Sequence, residues 1–202
     1  MATAIVVVAL AGCQTLPRET PPVPGALPPP EAFELRSESL AGLAGWTLRG
    51  RGALAAGGRG WNGAVHWAQC ADAFDLRFIA PLGAGTLRIS GLPGEMRVRG
   101  TDGTDFHADD LEAELEHLLG APLPVESLRW WVVGLPAPDA PYAALELDAA
   151  GRATNFLQSE WAVSYPRYTT HAGIQIPALV VAVRNGTRVR VVVDSWTPDE
   201  CE

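Results

Sequence analysis

From Phe74 to Ile89 apolar and polar side chains alternate, pause, and alternate again, and a chain that does this across so short a gap is committed to antiparallel sheet. Phe74, Leu76 and Phe78 share one face at a period of two, Leu87 and Ile89 share a face on the return, and Asp75, Arg77 and Arg88 take the opposite faces. Between these arms lies Ala80-Pro81-Leu82-Gly83-Ala84-Gly85, which supplies turn formers and no polar side chain, although exposed tips usually collect Asn, Asp and Ser. Two readings of Leu82 stand side by side. Either it folds back onto the core, a lone apolar loop residue needing no special explanation, or it forms a finger that touches lipid.

The same alternation runs through the rest of the chain. Trp46, Leu48 and Leu54 alternate with Thr47, Arg49 and Arg51, and Val65 and Trp67 flank His66. A strand over Glu95–Arg99 leads to Asp102-Gly103, and strands over Ile176–Arg184 and Arg188–Ser195 flank Asn185-Gly186, both dipeptides being hairpin turns. Further strands are expected over Ala143–Asp148, Ala153–Gln158 and Trp161–Tyr165. Connections this short fit an antiparallel meander, because parallel pairing needs crossovers of about a dozen residues.

Helical spacing interrupts the pattern three times. A first helix is expected over Glu31–Leu43, with Phe33, Leu40 and Leu43 as a partial stripe. A second opens at Asp109-Asp110, places Leu111, Leu115, Leu118 and Leu119 on one face and ends at Gly120. The third starts near Pro124, puts Leu128, Trp131 and Val132 together and stops at Gly134-Leu135-Pro136. About eleven strands with about three helices is too few helices to cover both faces of one sheet. The expected fold is mainly β: an incomplete antiparallel β-barrel with a helical lid.

Composition narrows function by exclusion. With 23 acidic and 15 basic residues among 202, the formal charge is −8, and the arginines are scattered through strands, which argues against nucleic acid as a partner. There is no Gly-x-Ser-x-Gly elbow, and His66, His107, His117 and His171 do not have metalloprotease spacing, so no catalytic residue, metal or cofactor is expected. Seven tryptophans and 48% hydrophobic residues suffice either for a solid core or for the wall of an apolar cavity. Cys70 and Cys201 are the only thiols beyond Cys13, and the sequence leaves open whether they pair.

The N-terminus points to an envelope. Residues 2–12 form an apolar run too short to span a bilayer, without a preceding Lys or Arg, and read as the core of a signal peptide over residues 1–12. Leu10-Ala11-Gly12-Cys13 resembles the bacterial lipobox, which makes Cys13 the expected lipidation site. Acyl chains there, at about 0.8 kcal/mol per buried CH₂, give stable anchoring. Gln14 in place of Asp resembles the sorting pattern that permits export to the outer membrane. Seven prolines between Pro17 and Pro30 make residues 13–30 a lipidated cysteine with a semi-stiff tether, and residues 31–202 a single domain.

Several blocks together have a family look. Pro81-Leu82-Gly83 between alternating strands, Ser127-Leu-Arg-Trp-Trp-Val-Val-Gly-Leu-Pro136, Gln158-Ser-Glu-Trp161 with Val163-Ser-Tyr165, and a last strand ending Asp194-Ser-Trp196 resemble the outer-membrane lipoprotein receptor LolB family from Phe33 to Trp196. Cys70 and Cys201 are departures from it. The resemblance implies a half-barrel with a lid and an apolar interior for lipoprotein acyl chains, the periplasmic carrier LolA as partner, and a protruding loop whose leucine, matched by Leu82, inserts cargo into the membrane. Candidates for the acyl-cavity lining are Trp46, Trp67, Phe78, Leu87, Trp131 and Trp161. The expected protein is a monomer that accepts lipoproteins from the carrier and delivers them to the outer membrane. The residues alone also leave room for a passive structural lipoprotein with a filled core.

Overall fold

The computed structural model describes residues 27–201. The signal peptide, Cys13 and most of the tether expected from the sequence lie outside the described residues. A helix, α1 (Pro29–Ala41), precedes six strands: β1 (Gly45–Ala56), β2 (Arg59–Cys70), β3 (Ala73–Ile79), β4 (Thr86–Leu92), β5 (Glu95–Gly100) and β6 (Asp105–Ala108). Helices α2 (Leu111–Leu119) and α3 (Val125–Trp131) follow. Five more strands complete the fold: β7 (Tyr142–Leu147), β8 (Ala153–Gln158), β9 (Trp161–His171), β10 (Ile174–Arg184) and β11 (Thr187–Asp199). All eleven strands form one antiparallel sheet in the order β6-β5-β4-β3-β2-β1-β11-β10-β9-β8-β7. It is two meanders joined where β1 pairs with β11. The sheet curls without closing, β6 and β7 remain its two edges, and α2 and α3 occupy the connection between those edges.

Gly50 explains part of the curl. The β1–β11 register slips between Arg49 and Gly50, since Arg49 faces Ser195 but Gly50 faces Val193. One extra residue of β11 is accommodated there, and a bulge of this kind bends and twists the pair. A Cβ on Gly50 would come within 2.1 Å of the Val192 carbonyl oxygen, so the bend brings the two backbones closer than any side chain permits.

The strand registers define two ends. At the upper end lie the β1–β2 turn, the β3–β4 tip beyond Ile79 and the β10–β11 turn; at the lower end Gly45 faces both Cys70 and Asp199. α1 runs along the lower end, from the β7–β8 turn to the start of β1. A Cβ on Gly151 in that turn would be 2.5 Å from the Ala32 Cβ, so glycine is what lets the helix seat there. Arg36 of α1 reaches further, donating to the carbonyl oxygens of Val133 and Gln175. The lower end is also bonded covalently: Cys70 and Cys201 form a disulfide with Cα atoms 5.5 Å apart, tying the end of β2 to the residues beyond β11. The sequence had left that pairing open.

α1 lies two residues earlier at each end than the expected Glu31–Leu43, whereas the boundaries of α2 agree with their chemical signals. Asp110 accepts a hydrogen bond from the Ala113 N–H at 3.0 Å and caps α2, while Gly120 ends it in the left-handed conformation at φ 69°. Two strands run past their expected ends: β11 continues from Ser195 to Asp199, and β9 continues from Tyr165 through Pro166 to His171. The β9–β10 register skips here, from Ser164 opposite Val181 to Arg167 opposite Leu179, so the proline falls at an irregularity where its missing N–H is tolerated.

The bulge makes a prediction. Gly50→Ala should lower stability by about 2 to 3 kcal/mol, because its methyl meets backbone that cannot yield. Gly60→Ala, whose nearest neighbour would be 3.8 Å away, should stay within about 0.5 kcal/mol. Urea melts of the two variants check this, and equal effects would refute the role given to Gly50.

Candidate functional site

The apolar face of the β3–β4 hairpin loses burial as it climbs. Phe74 is 5% exposed and Leu76 9%, whereas Phe78, one step nearer the tip, is only partly buried, and across the hairpin Ile89 at 2% gives way to a partly buried Leu87. What replaces packing at the upper end is space. A cavity of about 380 Å³ opens there, within the range of sites that take small apolar ligands. The inward residues of β1–β4 and β11 form its wall, among them Leu54, Val65, Trp67 and Val191, and Leu119 and Leu123 face it from the helical side. Polar groups such as Thr101, Asp102 and Arg190 also border it.

Two glycines help to make the room. Gly52 and Gly63 face one another across β1 and β2. A Cβ on Gly63 would lie 2.4 Å from the Ile79 carbonyl oxygen and 3.0 Å from the Phe78 ring; one on Gly52 would lie 2.8 Å from a Val65 methyl and 3.4 Å from the same ring. Their missing side chains give the Phe78 ring its place against the wall.

The tip stands on the cavity's border, since Ala80, Ala84 and Gly85 line it. Residues Pro81–Gly83 make a single 3-10 turn, closed by Ala84 N–H to Pro81 oxygen at 3.1 Å and Ala80 N–H to Gly85 oxygen at 2.9 Å. Leu82, at its apex, has 105% relative exposure. It also adopts φ 55°, ψ 27°, a left-handed conformation that costs a residue with a Cβ about 1 to 2 kcal/mol. Leu82 therefore does not fold back onto the core, and neither packing nor backbone preference explains a leucine there.

The lid over the cavity is fastened at both ends of α2. At its C-terminus the Arg59 guanidinium occupies the space a Gly120 side chain would take, and Arg59 also lies over the Trp61 ring at 5.6 Å. This places a cation beside the negative pole of the helix. At the N-terminal turn Glu112 meets Arg184 at 3.5 Å, and Arg184 meets Glu160 at 3.1 Å. Burial pushes the Glu112 carboxyl up from its ordinary value, with Arg184 pulling the other way. Asp75, on the outer side of the hairpin, behaves oppositely: burial would raise it, but hydrogen bonds from Arg88 and Arg77 prevail and hold it below the usual carboxylate range.

Of the tryptophans and apolar residues proposed for the lining, Trp67, Phe78 and Leu87 border the cavity. The other three lie elsewhere, which corrects the sequence reading. Trp131 and Trp161, 0% and 1% exposed, pack against each other at 6.2 Å in a filled aromatic cluster with Phe156. The Trp131 indole donates to Gln158 Oε1 at 2.9 Å, and Gln158 in turn holds the backbone of Ala137 and Ala140, so this half of the barrel interior is plugged by α3 and its following loop. Trp46 packs at a tilt against Trp67, ring centroids 5.5 Å apart, but faces a smaller hollow at the lower end, beside Leu40 and Trp130. Strand parity would have found Leu54, Val65, Leu76 and Ile89. No sequence signal marked the paired glycines.

Comparison with known proteins gives a consistent picture. Residues 44–196 match the family model described as outer membrane lipoprotein LolB. The chain is 34% identical over 190 residues to a protein of Stutzerimonas stutzeri named outer-membrane lipoprotein LolB, covering 94% of this chain and 90% of that one. A protein of the same name from Nitrosococcus oceani is 32% identical over 187 residues, covering 93% and 91%. In fold the chain is similar to the crystal structure of a LolA superfamily protein from Nitrosomonas europaea, at a TM-score of 0.50 and 11% identity, covering 88% and 96%.

The tip geometry has a measurable consequence. Leu82→Gly removes a left-handed leucine that packs against nothing, so stability should lie between unchanged and about 1 kcal/mol higher in chemical denaturation. A loss of stability would mean that the leucine is held by the fold.

Proposed function

Because the chain belongs to the LolB family of outer-membrane lipoproteins, we propose that it is held at the periplasmic face of the outer membrane by acyl chains on Cys13, and that as a monomer it accepts lipoproteins from a carrier of the LolA type and inserts them into that membrane. One observation carries the reading: a fully exposed leucine, in a backbone conformation leucine disfavours, stands at the border of an apolar cavity.

The physical problem such a protein addresses is the cost of wetting hydrocarbon. At about 0.8 kcal/mol per methylene, an acyl chain of about fifteen methylenes carries about 12 kcal/mol of transfer free energy. It needs cover from carrier to bilayer. The cavity supplies that cover, with Trp67, Phe78 and Leu87 against the chains and the α2 lid above them. Leu82 dips into the acyl region of the membrane and marks where the chains leave. No bond is made or broken, and cargo moves downhill as each successive environment holds the chains better than the last. A passive lipoprotein with a filled interior fits less well, because the space between the β3–β4 hairpin and the lid is open.

Leu82→Glu separates the two halves of the process. Its charge is costly in hydrocarbon, so insertion into liposomes should fall by about one to two orders of magnitude, while uptake of cargo from the loaded carrier continues. Both steps are followed separately with a labelled lipoprotein. Insertion at the normal rate would rule out the role assigned to the tip.

A further inference from the structure

On the outer face of the sheet, just below the tip, the strand registers line up a row of basic residues. Arg49 faces His66, His66 faces Arg77, Arg77 faces Arg88, and Arg88 faces Arg99. Each points away from the core, since the neighbours Leu48, Val65, Leu76, Leu87 and Val98 face inward. Like charges placed opposite each other across strands destabilise a sheet, so Arg77, Arg88 and Arg99 side by side cost the fold wherever a carboxylate does not offset them.

The carboxylates on this face do not balance the row. Asp75 is shared by Arg88 and Arg77, the latter at 3.2 Å. Asp105 is bound by Arg97 at 2.8 Å and lies 3.8 Å from Arg99. Arg51 is occupied by Asp194 at 2.9 Å, and Glu95 is exposed at the far end of β5. Among the described residues Arg49 has no ion-pair partner. Arg49, Arg77 and Arg99 thus present cationic heads beyond what the local acids neutralise, in a chain whose formal charge is −8. All 15 basic residues are arginine, the side chain whose planar fork grips a phosphate through two hydrogen bonds.

The level of the row matters. Arg77 is two residues below the hairpin end at Ile79, about 7 Å along the strand, Leu82 stands three residues further toward the tip, and a headgroup layer is about 5 to 8 Å thick. With Leu82 just inside the hydrocarbon, the arginine heads, which can swing along their stems, reach the phosphate plane. We infer that this outward arginine row is a docking surface for the phosphate groups of anionic phospholipids, orienting the β3–β4 hairpin so that Leu82 enters the bilayer tip first. The inference rests on the reading of Leu82 as the membrane-contacting residue and adds the lipid class that the surface selects.

The test uses the complete lipid-anchored protein in phosphatidylcholine vesicles made with and without phosphatidylglycerol, and follows cargo insertion from a loaded carrier. Wild type should insert faster when phosphatidylglycerol is present, and high salt should abolish the difference. R49Q/R77Q/R99Q leaves the Arg88–Asp75 and Arg97–Asp105 pairs intact. At about fivefold per arginine near an anionic surface, it should lose about tenfold or more on phosphatidylglycerol vesicles and nothing on phosphatidylcholine. If the triple variant proves unstable, the salt series on wild type and the single variant Arg49→Gln give the same reading. Equal rates for wild type and variant on both surfaces would overturn the proposal, and so would an equal loss on both, which would mark the row as a protein-docking face. Leu82→Glu run alongside keeps the two readings apart: normal insertion by it removes the role of the tip, whatever the arginines do.

Discussion

Strand β1 is hydrogen-bonded on both sides, to β2 along its whole length and to β11 along nearly all of it, and it is the central strand of the eleven. Each meander alone would be a small sheet with one face exposed. Joined through β1 they make a surface broad enough to curl, and the bulge at Gly50 sets part of the bend. The inner face then does two different things. Toward β8 and β9 it is filled by Trp131, Trp161 and Phe156, with Gln158 bonding the Trp131 indole and the backbone of Ala137 and Ala140. Toward β3 and β4 it stays open at the upper end. The packed half supports the half that is left empty.

Much of this was readable in the sequence, because local chemistry dictates it. The alternation of Phe74, Leu76 and Phe78 sets the inner face of β3, and Asp110 with Gly120 brackets α2 to the residue. The limits have physical causes. Pro166 argues locally against a strand, but tertiary register places it where the ladder is already irregular. The Cys70–Cys201 bond depends on β2 and β11 both flanking β1 at the lower end, a pairing no local pattern announces. Trp46, Trp131 and Trp161 are large and apolar whether they fill a core or line a hollow, so composition could not sort them from Trp67. Composition alone favours a Leu82 folded onto the core, and only the resemblance to a family favours an exposed tip; its left-handed backbone is not visible in the sequence at all.

The two ends of the molecule have opposite characters. The lower end is closed by α1, by Arg36 reaching the backbone of Val133 and Gln175, and by the disulfide. The upper end holds the cavity, the fastened lid and the exposed leucine. The cross-linked lower end and the open apolar space at the upper end divide the molecule, and the exposed leucine stands on the open side. The outward arginines extend that division to the surface, since they lie along the hairpin that carries the tip.

The proposed account comes down to whether cargo hydrocarbon occupies the space beneath α2. A lipoprotein whose acyl chain carries a photoactivatable group, loaded from its carrier and irradiated before membrane is added, reports this directly. Adducts should map to Phe78 and Leu87 on the hairpin and to Leu119 on the lid, and should be absent from Trp131 and Trp161. Adducts confined to the outer surface, or none that saturate with cargo, would contradict the account.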